Sequence, residues 1–196
     1  MSETRSDPRR ARREAKIAAI LAEAWRLAER DGLAVISLRD LAGAVDLRQP
    51  SLYVYFASKL DLYDAMFADG YRQLIAYLDS KPLPAEPRAA VEHFVAENVR
   101  FVSRYPVVHQ LLFQRTIPGF APSPGSWEVA LQFYSRAQSV LASVGADHQD
   151  DIDIFSSLVA GLCDQQIAND PGGDRWVQHV PRVVAMFLTS AVHSAN

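Results

Sequence analysis

Gln49, Pro50, Ser51, Tyr53 and Tyr55 fall within the run RQPSLYVYF, residues 48–56. A glutamine amide pairs one donor with one acceptor, which suits the edge of an adenine. A proline offers an apolar face to a thymine methyl. A tyrosine carries a hydroxyl on a rigid ring, so it reaches a phosphate oxygen with little loss of side-chain entropy. Just beyond, Ser58 and Lys59 open a new segment, where free backbone N–H groups, the helix dipole and an ammonium together favour a phosphate. Leu52 and Phe56, at i and i+4, supply the apolar side that would anchor such a helix. The chemistry these types and spacings suit is nucleic-acid recognition. Short helix pairs with half-buried tyrosines also occur in all-α proteins that bind none, and spacing alone leaves that reading open.

The elements that must position these side chains read as helices throughout. Ile17, Ile20, Leu21, Ala24 and Ala28 form one stripe of a first helix over about 12–30, which Asp31-Gly32 ends. Ser37 is the expected N-cap of a second, with Asp40 at the capping-box position and Leu41, Ala42 and Val45 on its apolar face. A third runs over about 49–56, with Pro50 in its first turn. Two short helices joined by a turn of about four residues make a helix-turn-helix candidate. Ser58 then caps a long helix, with Asp61 at the box position and a stripe of Tyr63, Met66, Phe67, Gly70, Tyr71, Leu74, Ile75 and Leu78. The linker KPLPAEP, 81–87, breaks the pattern, and further helices are expected at about 87–104, 106–115, 126–144, 150–169 and 174–193. The fold class is all-α, with about nine helices and no sheet.

The chain has 196 residues, enough for one large domain or two small ones. Its net charge of −3 is unevenly spread: residues 1–60 carry 11 Lys/Arg and 8 Asp/Glu, residues 61–196 carry 9 and 15. Arg5, Arg9, Arg10, Arg12, Arg13 and Lys16 concentrate positive charge at the front. Such a front on an acidic body suits an anionic partner, and equally a solvated tail. No apolar run approaches a membrane span, and none precedes Ile17, so neither a membrane partner nor a secretory signal is expected. The single cysteine, Cys163, leaves no disulfide framework or cysteine-rich zinc site. Cytoplasmic residence is the default expectation.

The run SLRDLAGAVDLRQPSLYVYFASKLDLYDAMF, 37–67, resembles the DNA-binding domain of the tetracycline-repressor (TetR) family of bacterial transcription regulators. The resemblance covers about 12–68: the long first helix, the Gly32 break, Ser37 opening the second helix with Leu41-Ala42 inside it, LYVYF in the third, and Ser58-Lys59 opening the fourth. Asp46 stands where the family usually has glycine, and Arg48 where a small capping residue is common. The resemblance implies that Ser37, Arg39, Tyr53, Tyr55 and Lys59 hold the DNA backbone. Arg48, Gln49, Pro50 and Ser51 would face the bases, and the arginine-rich arm at 5–13 would add phosphate or minor-groove contacts. It further implies a basic arm and helix-turn-helix domain over 1–57, a connecting helix over 58–79, and a helical effector-binding and dimerisation domain over 80–196.

Within that body, Phe67, Tyr71, Phe94, Phe101, Tyr105, His109, Phe113, Trp127, Phe133, Tyr134 and Gln165 are candidates to line a pocket for an apolar or aromatic effector, against the alternative of plain core. Phe155, Leu158, Val159 and Leu162 on one late helix, and Val180, Val184, Phe187 and Leu188 on the last, are candidates for a four-helix interface with a second subunit, against packing on their own chain. His93, His109, His148, His179 and His193 lack metal-ligand spacing, and Cys163 reads as a small buried hydrophobe. There is no glycine-rich phosphate loop, nucleophile elbow or H-E-x-x-H, so no enzyme and no cofactor is expected. The expectation is a homodimeric, ligand-responsive regulator, a repressor of a palindromic double-stranded DNA operator. Its rivals are a DNA-binding factor without an effector, and a helical interaction or enzymatic module. The first rival predicts no ligand-induced stabilisation, and the second no salt-dependent DNA binding.

Overall fold

A computed structural model describes residues 7–191. Nine α-helices and two single 3-10 turns, with no strand, make up the described residues. Asp7 accepts a hydrogen bond from the Arg9 amide and Pro8 fills the first helical position, so α1 (Pro8–Asp31) starts four residues before the expected Arg12. The described part of the basic arm is thus helical rather than a tail, while Arg5 and His193 lie outside the described residues. Gly32, at φ +91°, ends α1 and leads through a 3-10 turn (Leu33–Val35) into α2 (Leu38–Ala44). Next come α3 (Gln49–Leu52), α4 (Lys59–Asp79), α5 (Pro87–Arg104), α6 (Pro106–Phe113), α7 (Pro124–Ala142) and α8 (Gln149–Asn169). A 3-10 turn (Val177–His179) precedes α9 (Val180–Ala191). The expected helix over 174–193 is therefore broken, with Pro181 in the first turn of α9, where its missing N–H is tolerated. The third helix is also shorter than expected: α3 closes at Leu52 and 53–55 continue as a turn, although the Phe56 amide still reaches the Leu52 carbonyl at 3.0 Å.

The spine of the molecule is α4. It packs on α1 at its front, on α6 and α7 along its length, and on α5 toward its end. It buries Tyr63, Met66, Phe67, Gly70, Tyr71, Leu74 and Leu78 of its expected stripe, while Ile75 is half-buried. Polar ties fix its register. The Trp25 indole donates to Asp69 at 2.8 Å, the Tyr63 hydroxyl donates to the Leu33 carbonyl, and Asp64 accepts from the Ser123 amide at 2.6 Å and the Ser126 hydroxyl at 2.8 Å. The glycine- and proline-rich segment over 117–125 is thereby held on α4, with Phe120 against Tyr63 and Phe67 at ring separations of 6.2 and 6.0 Å. In the body α5 takes the central place, against α7, α8 and α9.

Candidate nucleic-acid interface and body cavity

Ser37 begins the helix pair as its sequence implies, its hydroxyl accepting the Asp40 amide at 3.3 Å. The pair is held from beneath by Leu41, Ala42, Leu52 and Phe56, which join the core formed with Ile20, Ala24 and Ala28 of α1. The turn between the helices closes in a recognisable way. Leu47 donates to the Ala42 carbonyl at 2.8 Å and Asp46 to the Gly43 carbonyl at 3.3 Å, the two bonds of a Schellman motif. That motif needs one left-handed residue, and Asp46 takes it at φ +55°. Lys16 reaches over from α1 to donate to the Val45 carbonyl at 2.7 Å, so α1 clamps the turn.

With its apolar side committed to the core, α3 turns Gln49, Pro50, Ser51 and Tyr53 to solvent together with the preceding Arg48, and Arg39 is exposed on α2. Tyr55 is half-buried, with the Arg13 guanidinium 5.2 Å from its ring centre, while Arg13 also approaches the Val54 carbonyl at 3.5 Å. The arginine-bearing start of α1 therefore lies beside the end of the helix-turn-helix. Arg10 is paired along α1 with Glu14 at 2.7 Å. Lys59 sits differently from a free phosphate ligand. Its ammonium donates to the Ala34 carbonyl at 2.7 Å and lies 5.6 Å over the Tyr63 ring, and burial lowers its pKa. Ser58 caps α4 by accepting the Asp61 amide at 3.1 Å, so Lys59 ties the start of α4 to the α1–α2 connection.

The second candidate site is a partly open cavity of about 250 Å³ lined by residues of α5, α6, α7 and α8. His109, Phe113, Phe133 and Tyr134 line it, as the sequence suggested, and so does Phe94. Six other candidates lie outside it. Phe67 and Tyr71 are buried in α4, although the Tyr71 hydroxyl meets that of Tyr134 at 3.1 Å. Phe101 packs on Tyr77 and Tyr105 at ring separations of 5.4 and 5.0 Å. Trp127 is exposed at 42% and stacks on Phe67, and Gln165 faces solvent where it accepts from Asn169. Val95, Asn98, Ser156 and Cys163 line the cavity without having been foreseen. Asn98 did carry a signal, being a polar residue within the apolar stripe of α5. Burial pushes the Cys163 thiol up to about 12, which keeps it protonated.

The eight interface candidates also divide. Phe155 and Phe187 pack on each other at 4.9 Å, and Leu162, Val180 and Val184 are buried in the same chain. Val159 lines the cavity, Leu188 is half-buried, and Leu158 alone of the eight is exposed, as are the apolar Ile154 and Met186 on the same two helices. The stripe read as intersubunit is spent within the chain because α8 has two apolar faces, and periodicity does not say which one a second subunit would cover.

Residues 20–66 match the family model of bacterial regulatory proteins of the tetR family. No curated protein matches the chain in sequence. Three solved structures show the fold. A TetR-family transcription regulator from Marinobacter aquaeolei VT8 is 20% identical, with a TM-score of 0.65 over 92% of this chain and 97% of that one. The TetR-family regulator PfmR from Thermus thermophilus is 19% identical, with a TM-score of 0.60 over 87% and 97%. A protein of unknown function from Rhodococcus sp. RHA1 is 18% identical, with a TM-score of 0.72 over 97% and 98%. Residues 20–66 therefore form a helix-turn-helix of the kind found in bacterial regulatory proteins of the tetR family, on a fold that these solved structures share over nearly the whole chain.

Proposed function

We propose that the chain is a ligand-responsive repressor that binds a palindromic operator as a homodimer and releases it when a small molecule enters the body cavity. Arg48, Gln49, Pro50 and Ser51 face the bases in this reading, while Ser37, Arg39, Tyr53 and Tyr55 hold phosphates. Lys59 acts mainly by fixing the start of α4, where its ammonium is engaged by the Ala34 carbonyl. Division at 57/58 and 79/80 separates reader, connecting helix and body. A second copy would cover the outward face of α8 and α9 at Ile154, Leu158 and Met186, which are exposed at 53, 38 and 65%. The protein works by binding rather than catalysis, in the cytoplasm. No described helix is long and apolar enough to cross a membrane.

The observation that carries the reading is the wall shared by cavity and reader. His109 and Phe113 line the cavity from α6, while Val108 and Leu112 of the same helix close on Gly70 of α4 and, with it, on Trp25 of α1. A ligand that prefers one placement of α6 therefore biases α1 and α4, the helices on which the helix-turn-helix rests. Two recognition helices match DNA only when spaced by one turn, about 34–36 Å. A differential affinity of about 1–3 kcal/mol between the two placements suffices for switching. The test is selection of bound genomic fragments by the purified chain at low and moderate salt, followed by titration of effectors against the selected site. A palindrome that survives moderate salt and is released by a ligand supports the reading. Binding that is uniform across sequence and vanishes with salt rejects it.

A further inference from the structure

The cavity combines aromatic walls, the absence of any Asp, Glu, Lys or Arg among its lining residues, and a buried imidazole nitrogen left without a partner. From that juxtaposition we infer that it takes a neutral aromatic molecule of one substituted ring or two fused rings, held by a hydrogen bond that the molecule donates to His109 Nδ1. The inference rests on the cavity being the effector site.

Size sets the first bound. An engineered apolar cavity of about 150 Å³ holds benzene. One of about 250 Å³ has room for a larger ring system. The walls set the second. Phe94 and Phe133 stack at 5.9 Å, Phe113 meets Phe133 at 6.0 Å, and Phe133 meets Tyr134 at 5.5 Å, with Phe113 and Tyr134 nearly edge-on to Phe133. One more ring placed among these faces and edges makes the same favourable contacts.

The polar complement follows from His109. It is 3% exposed, and its Nε2 lies 3.0 Å from Asp164 Oδ1, which also accepts from Gln114 at 2.9 Å. An ionised carboxylate only accepts, so Nε2 carries a proton, and whenever the imidazole is neutral its lone pair is on Nδ1. That Nδ1 has no partner among the described residues, and neither has the buried Asn98 Oδ1 on the facing helix. Two buried acceptors without partners, on side chains that line the cavity, ask for a donor such as a phenol O–H or a ring N–H. They reject a carboxylate, which the lining does not neutralise and which Asp164 behind the imidazole repels.

Calorimetry on the full chain tests this with three probes: indole, benzothiophene with the same two-ring shape but no donor, and indole-3-carboxylate. Indole is expected to bind about tenfold more tightly than benzothiophene, and the carboxylate not to compete. His109→Phe keeps the ring and should bind both neutral probes about equally. If that variant does not fold, nitrogen NMR of the intact chain replaces it, with the Nδ1 resonance moving on addition of indole and not of benzothiophene. Equal or tighter binding of benzothiophene by the intact chain overturns the donor assignment. Tightest binding of the carboxylate overturns the neutral class, and binding of neither neutral probe at about millimolar concentration overturns the aromatic class. Indole that binds with the expected preference but leaves operator affinity unchanged confirms the site's chemistry and instead removes the effector reading.

Discussion

At residue scale the roles proposed for the tyrosine hydroxyls and the Gln49 amide can be tested separately. Replacing Tyr53 and Tyr55 by phenylalanine keeps ring bulk and removes the two hydroxyls proposed to hold phosphates. Affinity should fall by similar factors on all sequences, with the folded state intact by circular dichroism. Gln49→Ala should instead relax preference at one or two base positions, at a cost of about 1–3 kcal/mol on the preferred site, read by competition among operator variants. Asp46 tests the turn itself. Its φ of +55° is open to glycine and costly for a β-branched residue. Asp46→Gly should leave the urea midpoint unchanged or raised, and Asp46→Val should lower stability by more than about 1 kcal/mol. A tolerated valine would mean that the turn is not held by its Schellman bonds.

At the scale of elements, the junction of α1, α4 and α6 is tightly closed around a glycine. A Cβ at Gly70 would stand 3.1 Å from both Leu112 and Val108 and 3.4 Å from Trp25. Gly70→Val should therefore cost about 1–3 kcal/mol by overpacking, read from urea unfolding, and an unchanged midpoint would show that α6 yields freely. Helix starts were legible because caps are local: Ser37 and Ser58 cap where their sequences imply, each through a bond to the amide three residues on. Where the reading slipped, other groups decided. The cap at Asp7 lengthened α1 beyond its apolar stripe, and α3 ended once Leu52 and Phe56 were seated in the core. In the body, aromatic type did not separate cavity wall from core. Phe101 and Phe133 are both buried phenylalanines, and only the placement of α7 and α8 puts Phe133 beside empty space.

For the whole molecule, stability and assembly can be read separately. The Glu97 carboxylate accepts from Tyr77 at 2.8 Å and from Arg100 at 2.7 Å. Burial resists its ionisation, but these hydrogen bonds prevail and hold its pKa below the ordinary value. A depressed native pKa stabilises the fold above the unfolded value of about 4.3 and loses that contribution as pH falls through the native one. Urea midpoints should thus fall steeply on acidification below about pH 4.3, and less so in Glu97→Gln. The proposed assembly rests on a different face. Leu158→Asp places a charge on the outward side of α8, so sedimentation should show monomers with an unchanged helical spectrum. A persisting dimer would move the interface elsewhere.

The sequence by itself determined the all-helical class, the order of helices at the front, and the polar-out, apolar-in division of the short third helix. Those depend on caps, breakers and apolar spacing within a few residues of one another. Only the tertiary structure decided that Phe155 meets Phe187 inside one chain, that Lys59 turns toward Ala34, and that a cavity is lined by His109 and Asn98, each with one buried atom lacking a partner. Each of these depends on which helix lies against which. Apolar periodicity marks the face a helix buries but carries no information about the surface that covers it.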